Sequence, residues 1–271
     1  MQTVRDRVSP RDLPDWLLSR GRPTVTNAEI AELLGASPHE ASRVAGRWHA
    51  KALAFSPTRG LQVLIPPEFR TWGALPADQF IDPMMHHLGH CYYVGYLSAA
   101  EIHGAAHQRP QVFQVVTDAR VRDKQFGRVR ATFYVSSTAS HRPTLTVNTP
   151  TGTLTVGSVP TTVLDLAARP VLGGGTSNVA TVIGDLIDTN KLDSNAVAEL
   201  ADQYPAAVIR RAGWLIDFMA RQLDATIDLE PLQSKVDHSI EPTPLIASDP
   251  ASGRLDARWN VYINGEIEPD L

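Results

Sequence analysis

Apolar positions between residues 26 and 65 follow two different periods. Ile30, Leu33 and Leu34 recur at helical spacing, as do Ala41, Val44, Ala45 and Trp48. Leu53–Phe55 and Leu61–Ile65 instead read as two short strands, the second interrupted only by Gln62. Polar residues mark the boundaries. Thr26-Asn27-Ala28-Glu29 has the spacing of a capping box, in which a hydroxyl and a carboxylate three residues on satisfy orphan backbone donors. Gly35 supplies a left-handed stop, and Ala36 alone separates it from a second box, Ser37-Pro38-His39-Glu40, with proline at the first helical position. Pro57-Thr58-Arg59-Gly60 is a turn between the two strands. Two helices on a very short turn, followed by a hairpin, predict a winged helix-turn-helix, which sets its second helix in a DNA major groove. The expected DNA contacts are His39, Ser42, Arg43 and Arg47 on the outer face of that helix, Lys51 beyond its end, and Arg59 at the wing.

Elsewhere the pattern is more punctuated. Asp12 to Arg20 predicts a first helix with Leu13, Trp16 and Leu17 inward, and Val25 a short strand. Four prolines between Pro66 and Pro83 then interrupt all periodicity. The expected division is a winged domain over residues 1–72, a proline-rich linker over 73–83 and a larger domain over 84–271, each with its own core. In the last, Ser98–Ala106 reads as a small-residue helix, and Val112–Thr117 and Val129–Ser136 as β-branched, aromatic strands. Thr144–Asn148 and Thr153–Gly157 alternate about Pro150-Thr151-Gly152 as a hairpin. Thr161–Ala168, Ser177–Thr189, Ser194–Gln203 and an amphipathic Ala206–Leu223 read as helices, and Arg258–Ile263 as a closing strand. The fold class predicted is α+β, an N-terminal winged helix-turn-helix followed by a larger mixed α/β domain.

Composition narrows the function classes. The 271 residues are 43% apolar and 20% charged, typical of a globular chain and unlike a disordered or fibrous one. A single cysteine, Cys91, excludes a disulfide framework and fits a reducing cytoplasm. No apolar run follows the charged start, so no secretory signal is expected, and no window approaches a membrane span. Residues 1–72 carry ten Lys and Arg against seven Asp and Glu, whereas residues 73–271 carry fifteen against twenty-two. Phosphate neutralisation is therefore expected in the N-terminal part.

Candidate chemistry in the second part is sparse. His86, His87, His90 and Cys91, with His103 and His107, are residue types that suit zinc. Glu101 precedes the spaced histidine pair instead of lying inside it, so the metalloprotease pattern is missing and capping or packing roles are expected. Gly173-Gly174-Gly175 before Ser177 lacks the lysine of a nucleotide loop and reads as a turn with Ser177 as helix cap. Ser136, Ser137, Ser140 and His141 lack a nucleophile elbow. Asp118 and Asp123 read as solvated loop carboxylates. No catalytic residue, metal or cofactor is expected. Arg120, Arg122, Lys124, Arg128 and Arg130 place five cations within eleven residues of an acidic segment. They form a solvated connection, a nucleic-acid contact or a face for an acidic protein partner.

One longer pattern is informative. Residues Tyr93 to Ala105 (YVGYLSAAEIHGA) and Gln111–Thr117, Val159–Leu166 (VPTTVLDL), Arg210–Leu215 (RRAGWL) and Arg258–Val261 (RWNV) follow in an order that resembles the AbiEi family of antitoxins from bacterial type IV toxin–antitoxin systems. The resemblance extends to the N-terminal segment and its Arg59-Gly60. Thr161 stands where the family more often has glutamate, and Leu61 where an aromatic often follows the Arg-Gly pair. The resemblance implies a cytoplasmic, non-enzymatic, DNA-binding antitoxin whose partners are double-stranded promoter DNA, through which it represses its own operon, and a nucleotidyltransferase-like toxin. Two alternatives stay open: an enzyme acting on nucleic acid or on the toxin through C-terminal His and Asp residues, and a ligand-sensing regulator.

Overall fold

Both capping boxes close as their spacing predicts. In the computed structural model, which describes residues 8–106 and 111–270, the Glu29 amide donates to Thr26 Oγ1 at 3.1 Å and the Thr26 amide to Glu29 Oε2 at 2.7 Å. They open α2 (Asn27–Leu34), which Gly35 ends with φ 60° and ψ 38°. Ser37 and Glu40 repeat the exchange at the start of α3 (Pro38–Ala50), with distances of 3.3 and 2.8 Å. Helix α1 (Leu13–Leu18) and strands β1 (Thr24–Thr26), β2 (Ala54–Thr58) and β3 (Leu61–Leu64) complete this part, the strands lying in the antiparallel order β1-β3-β2. Leu13, Leu17, Val25, Ile30, Val44 and Trp48 meet in one core. The hydrophobic period chosen by each helix therefore fixes which face of it is left outside.

The chain then forms α4 (Ile81–Leu88), β4 (Tyr92–Val94), α5 (Tyr96–Ile102), β5 (Phe113–Thr117), β6 (Lys124–Phe126), β7 (Val129–Val135), β8 (Thr144–Thr149) and β9 (Gly152–Gly157). A six-stranded sheet runs β6-β7-β5-β4-β9-β8, with β5 and β7 parallel over Phe113–Thr117 and Ala131–Val135. Helices α6 (Val159–Ala168), α7 (Thr176–Asp188), α8 (Ser194–Glu199), α9 (Ala206–Gln222) and α10 (Glu230–Gln233) follow, then β10 (Thr243–Pro244), β11 (Arg254–Asp256) and β12 (Val261–Ile263) in a small mixed sheet of order β10-β12-β11. Helix α9 buries Val208, Ile209, Ala212, Leu215, Ile216 and Met219, the stripe its periodicity predicts. The architecture is mixed α+β.

Contacts divide the chain into two compact units, and the division differs from the expected linker at 73–83. The first unit holds Met1–Tyr93, Gln111–Ser140 and Thr146–Thr155; the second holds Val94–Pro110, His141–Leu145 and Val156–Leu271. Residues 73–83 belong to the first unit because their apolar side chains are core: Ala74, Leu75, Phe80 and Ile81 are fully buried. Phe80 sits edge-on to Phe55 of β2 at 5.2 Å, and Phe126 of β6 lies 4.5 Å from Phe55 and 6.2 Å from Phe80. The prolines break periodicity there without ending the core. Among the described residues no helix is long and apolar enough to cross a membrane.

Candidate nucleic-acid interface

Helix α3 buries Ala41, Val44, Ala45 and Trp48, and the same 3.6-residue geometry leaves His39, Ser42, Arg43 and Arg47 exposed opposite them. Trp48 fixes the helix from beneath: its indole N–H donates to the Pro10 carbonyl at 3.2 Å. Arg43 and Arg47, one turn apart, line an open depression of about 450 Å³ with Val8, Ser9, Pro10 and Glu40. Neither guanidinium makes an ion pair or side-chain hydrogen bond with the described residues, so both are available to an anion. Backbone and side-chain hydrogen bonds from Ser37 hold the Glu40 carboxyl below the usual carboxylate range, leaving it ionised beside Arg43 and His39. Ser42 is less available than its exposure implies. Its hydroxyl donates to the Pro38 carbonyl at 3.0 Å and accepts from Asn27 Nδ2 at 3.4 Å. Lys51 caps the end of α3 and is exposed.

A polar chain runs beneath this face. Gln62 of β3, 4% exposed, donates to Asn27 Oδ1 at 2.9 Å and its own oxygen lies 2.7 Å from His49 Nε2. It joins the start of α2, the end of α3 and the strand sheet. Sequence periodicity alone would have assigned position 62 to solvent, and the buried amide is affordable only because all its partners are present.

The turn after β2 is narrowed to Arg59 and Gly60, with Gly60 at φ 86° and Thr58 opposite Leu61. The Arg59 side chain is exposed while its carbonyl accepts from His87 Nε2 at 3.0 Å, and the Gly60 carbonyl accepts from the Asn27 amide at 2.8 Å. Helix α4, which holds His87, starts inside the segment expected to be a linker.

The basic segment also belongs to this unit, whereas the expected boundary put it in the second domain. Arg120, Arg122, Arg128 and Arg130 are exposed and Lys124 half-buried, and none of the five makes a side-chain hydrogen bond or ion pair with the described residues. The two-residue turn Gly127-Arg128 joins β6 to β7. Gly127 has φ 51° and packs so closely on the Trp72 carbonyl that an added Cβ would lie 1.9 Å from it, while the Arg128 amide donates to that carbonyl at 2.9 Å. With this segment included, the first unit carries fifteen Lys and Arg against eleven Asp and Glu, and the second ten against eighteen.

The histidines do not converge. His86 Nδ1 is 3.1 Å from Asp82 Oδ2, His90 Nδ1 is 3.9 Å from Asp118 Oδ1, and His103 Nε2 donates to the Gly157 carbonyl at 2.8 Å. His107 lies outside the described residues. Among those described, no three His, Cys, Asp or Glu side chains are grouped to hold a metal ion. Asp123 accepts from the Phe133 amide at 3.1 Å, and Ser136 Oγ is 3.0 Å from Thr138 Oγ1. Gly175, at φ 104°, caps α7 in place of the expected Ser177, whose hydroxyl accepts from the Glu268 amide at 3.2 Å.

The motif residues of the second unit hold its elements together. Thr161 Oγ1 donates to the Pro143 carbonyl at 2.9 Å. Asp165 accepts from the Tyr204 hydroxyl at 2.9 Å, and the Arg142 guanidinium stacks on that tyrosine ring at 3.7 Å. Burial, and then the Asp165 charge, push the Tyr204 hydroxyl above its ordinary range, so it remains a donor. Arg210, 1% exposed, donates to the carbonyls of Glu241 (2.7 Å) and Asp237 and to Thr243 Oγ1 (3.2 Å). Trp259 is fully buried against Gly213 and donates to Asp217 Oδ2 at 2.9 Å.

Residues 93–218 match the family model of the AbiEi antitoxin C-terminal domain. A comparison with curated proteins returns no match. A crystal structure of the RV2827C protein from Mycobacterium tuberculosis is similar in fold, with 16% sequence identity and a TM-score of 0.64 over 94% of this chain and 92% of that one.

Proposed function

We infer that this chain, whose residues 93–218 are an AbiEi antitoxin C-terminal domain, is a DNA-binding antitoxin that represses its own operon and opposes a nucleotidyltransferase-like toxin. Its N-terminal segment is read as a winged helix-turn-helix, with α2 and α3 as the helix pair and β2–β3 as the wing. The observation that carries the DNA half is the outer face of α3. Arg43 and Arg47 are exposed, one turn apart and without an ion pair to the described residues, on a helix whose opposite face is locked into a core. At that spacing one guanidinium can take the O6 and N7 edge of a guanine while the other grips phosphate. Arg59, exposed on a turn whose backbone is held by His87 and Asn27, suits a narrow minor groove. The uncommitted cations at Arg120, Arg122, Lys124, Arg128 and Arg130 share this positively charged unit, which favours nucleic-acid backbone over a toxin surface as their partner. The motif residues of the second unit serve as connecting hydrogen-bond donors and acceptors, which supports a binding role over catalysis. A promoter target places the protein in the cytoplasm.

The test is a gel shift on the chain's own promoter. Arg43→Ala and Arg47→Ala are each expected to cost roughly 1–3 kcal/mol of operator binding. Arg59→Ala is expected to weaken binding most where the flanks are A·T-rich. Unchanged affinity in both helix variants rules the α3 assignment out. Growth rescue on co-expression with the neighbouring toxin gene tests the antitoxin half independently of DNA.

A further inference from the structure

Strand β8 is the outer edge of the six-stranded sheet, paired only with β9. Apart from that pairing, no hydrogen bond with the described residues reaches Thr144–Thr149, so one row of its backbone N–H and C=O groups faces out. Thr144, Leu145, Thr146 and Asn148 are exposed, with Leu145 at 49%. Such an edge is a template for another strand, and proteins ordinarily block it with lysine, proline or a bulge. Neither lysine nor proline is present within Thr144–Thr149, and no charged side chain occurs from Pro143 to Leu164.

We propose that β8 is the pairing edge of a symmetric dimer, its occupant being β8 of a second copy of this chain. The sequence of the strand selects that partner. In an antiparallel pair related by a two-fold axis normal to the sheet, directly opposed residues share a face, so the axis must pass through a residue. With the axis at Thr146, Leu145 of each copy opposes Val147 of the other, Thr144 opposes Asn148, and Thr146 opposes itself. Apolar thus meets apolar on one face and hydroxyl or amide meets the same on the other, the combinations that stabilise cross-strand pairs. Shifting the axis to Val147 sets Leu145 against Thr149, an apolar side chain against a hydroxyl. An edge without charge offers no electrostatic basis for choosing a different protein, and nothing in it repels its own copy.

Sedimentation velocity of the full chain across concentration, with and without Thr146→Lys, tests the interface. A dimer is expected for the parent and a monomer for the variant, because two ammonium groups would meet across the axis; circular dichroism confirms that the exposed substitution leaves the fold intact. Cross-linking reads the register. In a Cys91→Ser background, Thr146→Cys is expected to form a disulfide-linked dimer and Asn148→Cys none, since only position 146 opposes itself. A parent that stays monomeric, or cysteines that cross-link equally at both positions, overturns the proposal, as does an edge protected from hydrogen exchange by the toxin alone. None of these readouts uses DNA, so loss of operator binding would count against the function above and leave this inference standing.

Discussion

The carbonyl oxygen of Arg59 accepts a hydrogen bond from Nε2 of His87, 28 residues further along, at 3.0 Å. A turn that presents a guanidinium to DNA must limit the freedom of its own backbone, or ordering it on binding consumes part of the contact energy. His87→Ala removes that restraint without touching the Arg59 side chain. One net hydrogen bond at an exposed position is worth about 0.5–1.5 kcal/mol, so operator affinity is expected to fall roughly threefold. The loss should be absent when Arg59 is already alanine. Equal loss in the two backgrounds, measured by a double-mutant cycle in gel shifts, would show that His87 acts elsewhere.

Two glycines in helices separate packing from propensity. Gly46, on the exposed side of α3, has nothing within 4 Å of an added Cβ, whereas one at Gly213 in α9 would lie 2.1 Å from the Trp259 ring. Alanine gains up to about 1 kcal/mol over glycine in a helix. At Gly46 that gain stands alone, and Gly46→Ala is expected to raise the melting temperature by a few degrees. At Gly213 it competes with overpacking of roughly 1–3 kcal/mol against a ring that the 2.9 Å bond to Asp217 keeps in place. Gly213→Ala is therefore expected to lower the melting temperature. A rise in both variants would mean that Trp259 moves freely.

This contrast explains what the sequence could and could not disclose. Thr26 with Glu29, Ser37 with Glu40, and Gly35 act within one helical turn, so spacing alone identifies them. The stripe on α9 and the Pro150-Thr151-Gly152 turn are equally local. Gly213 and Trp259 are 46 positions apart, and no periodicity pairs them. The parallel match of β5 with β7 and the aromatic meeting of Phe55, Phe80 and Phe126 are likewise long-range. For the site, the exposed face of α3 was legible from its buried face. The burial of Gln62 and the restraint of the Arg59-Gly60 turn by His87 were not, because each partner is distant along the chain.

Buried His103 gives a pH dependence of definite sign. Desolvation, with a smaller contribution from the Lys191 charge, holds its imidazole below the ordinary value, against the opposing hydrogen bond to the Gly157 carbonyl. Above about pH 6.5 both folded and unfolded chains carry it neutral and it contributes no slope. As pH falls below that value the unfolded chain binds the proton first, so stability declines with acidification until the folded pKa is reached. The denaturant midpoint is expected to drop between pH 7.5 and pH 5.5 in the parent, and by less in His103→Gln. An identical drop in both would assign the dependence to other groups.

The contact between Phe126 and Phe55 decides where the chain can be cut. A fragment beginning near Asp78 keeps the whole segment expected to form the second domain, and the linker reading requires it to fold with an intact core. Yet Phe80 and Phe126 would both lose Phe55, their partner at 5.2 and 4.5 Å, and the buried Ile65, Ala74 and Leu75 would be missing from the same unit. Truncating a single buried phenylalanine costs about 3–5 kcal/mol, a large share of the roughly 5–15 kcal/mol that holds a domain. Removal of residues 1–77 is therefore expected to leave a fragment that binds a hydrophobic dye and melts without cooperativity. In the full chain, Phe126→Ala should lower stability by about 1–3 kcal/mol, less than a full core deletion because Phe126 is only half-buried. It should also weaken DNA binding if the basic turn at Arg128 works from a fixed position. Charge reversal at Arg120, Arg122, Arg128 and Arg130 gives the comparison: it should reduce the salt dependence of promoter binding while leaving the melting temperature nearly unchanged. A fragment from Asp78 that melts as sharply as the full chain would return the boundary to the proline-rich segment, and the aromatic contact would then be incidental to the fold.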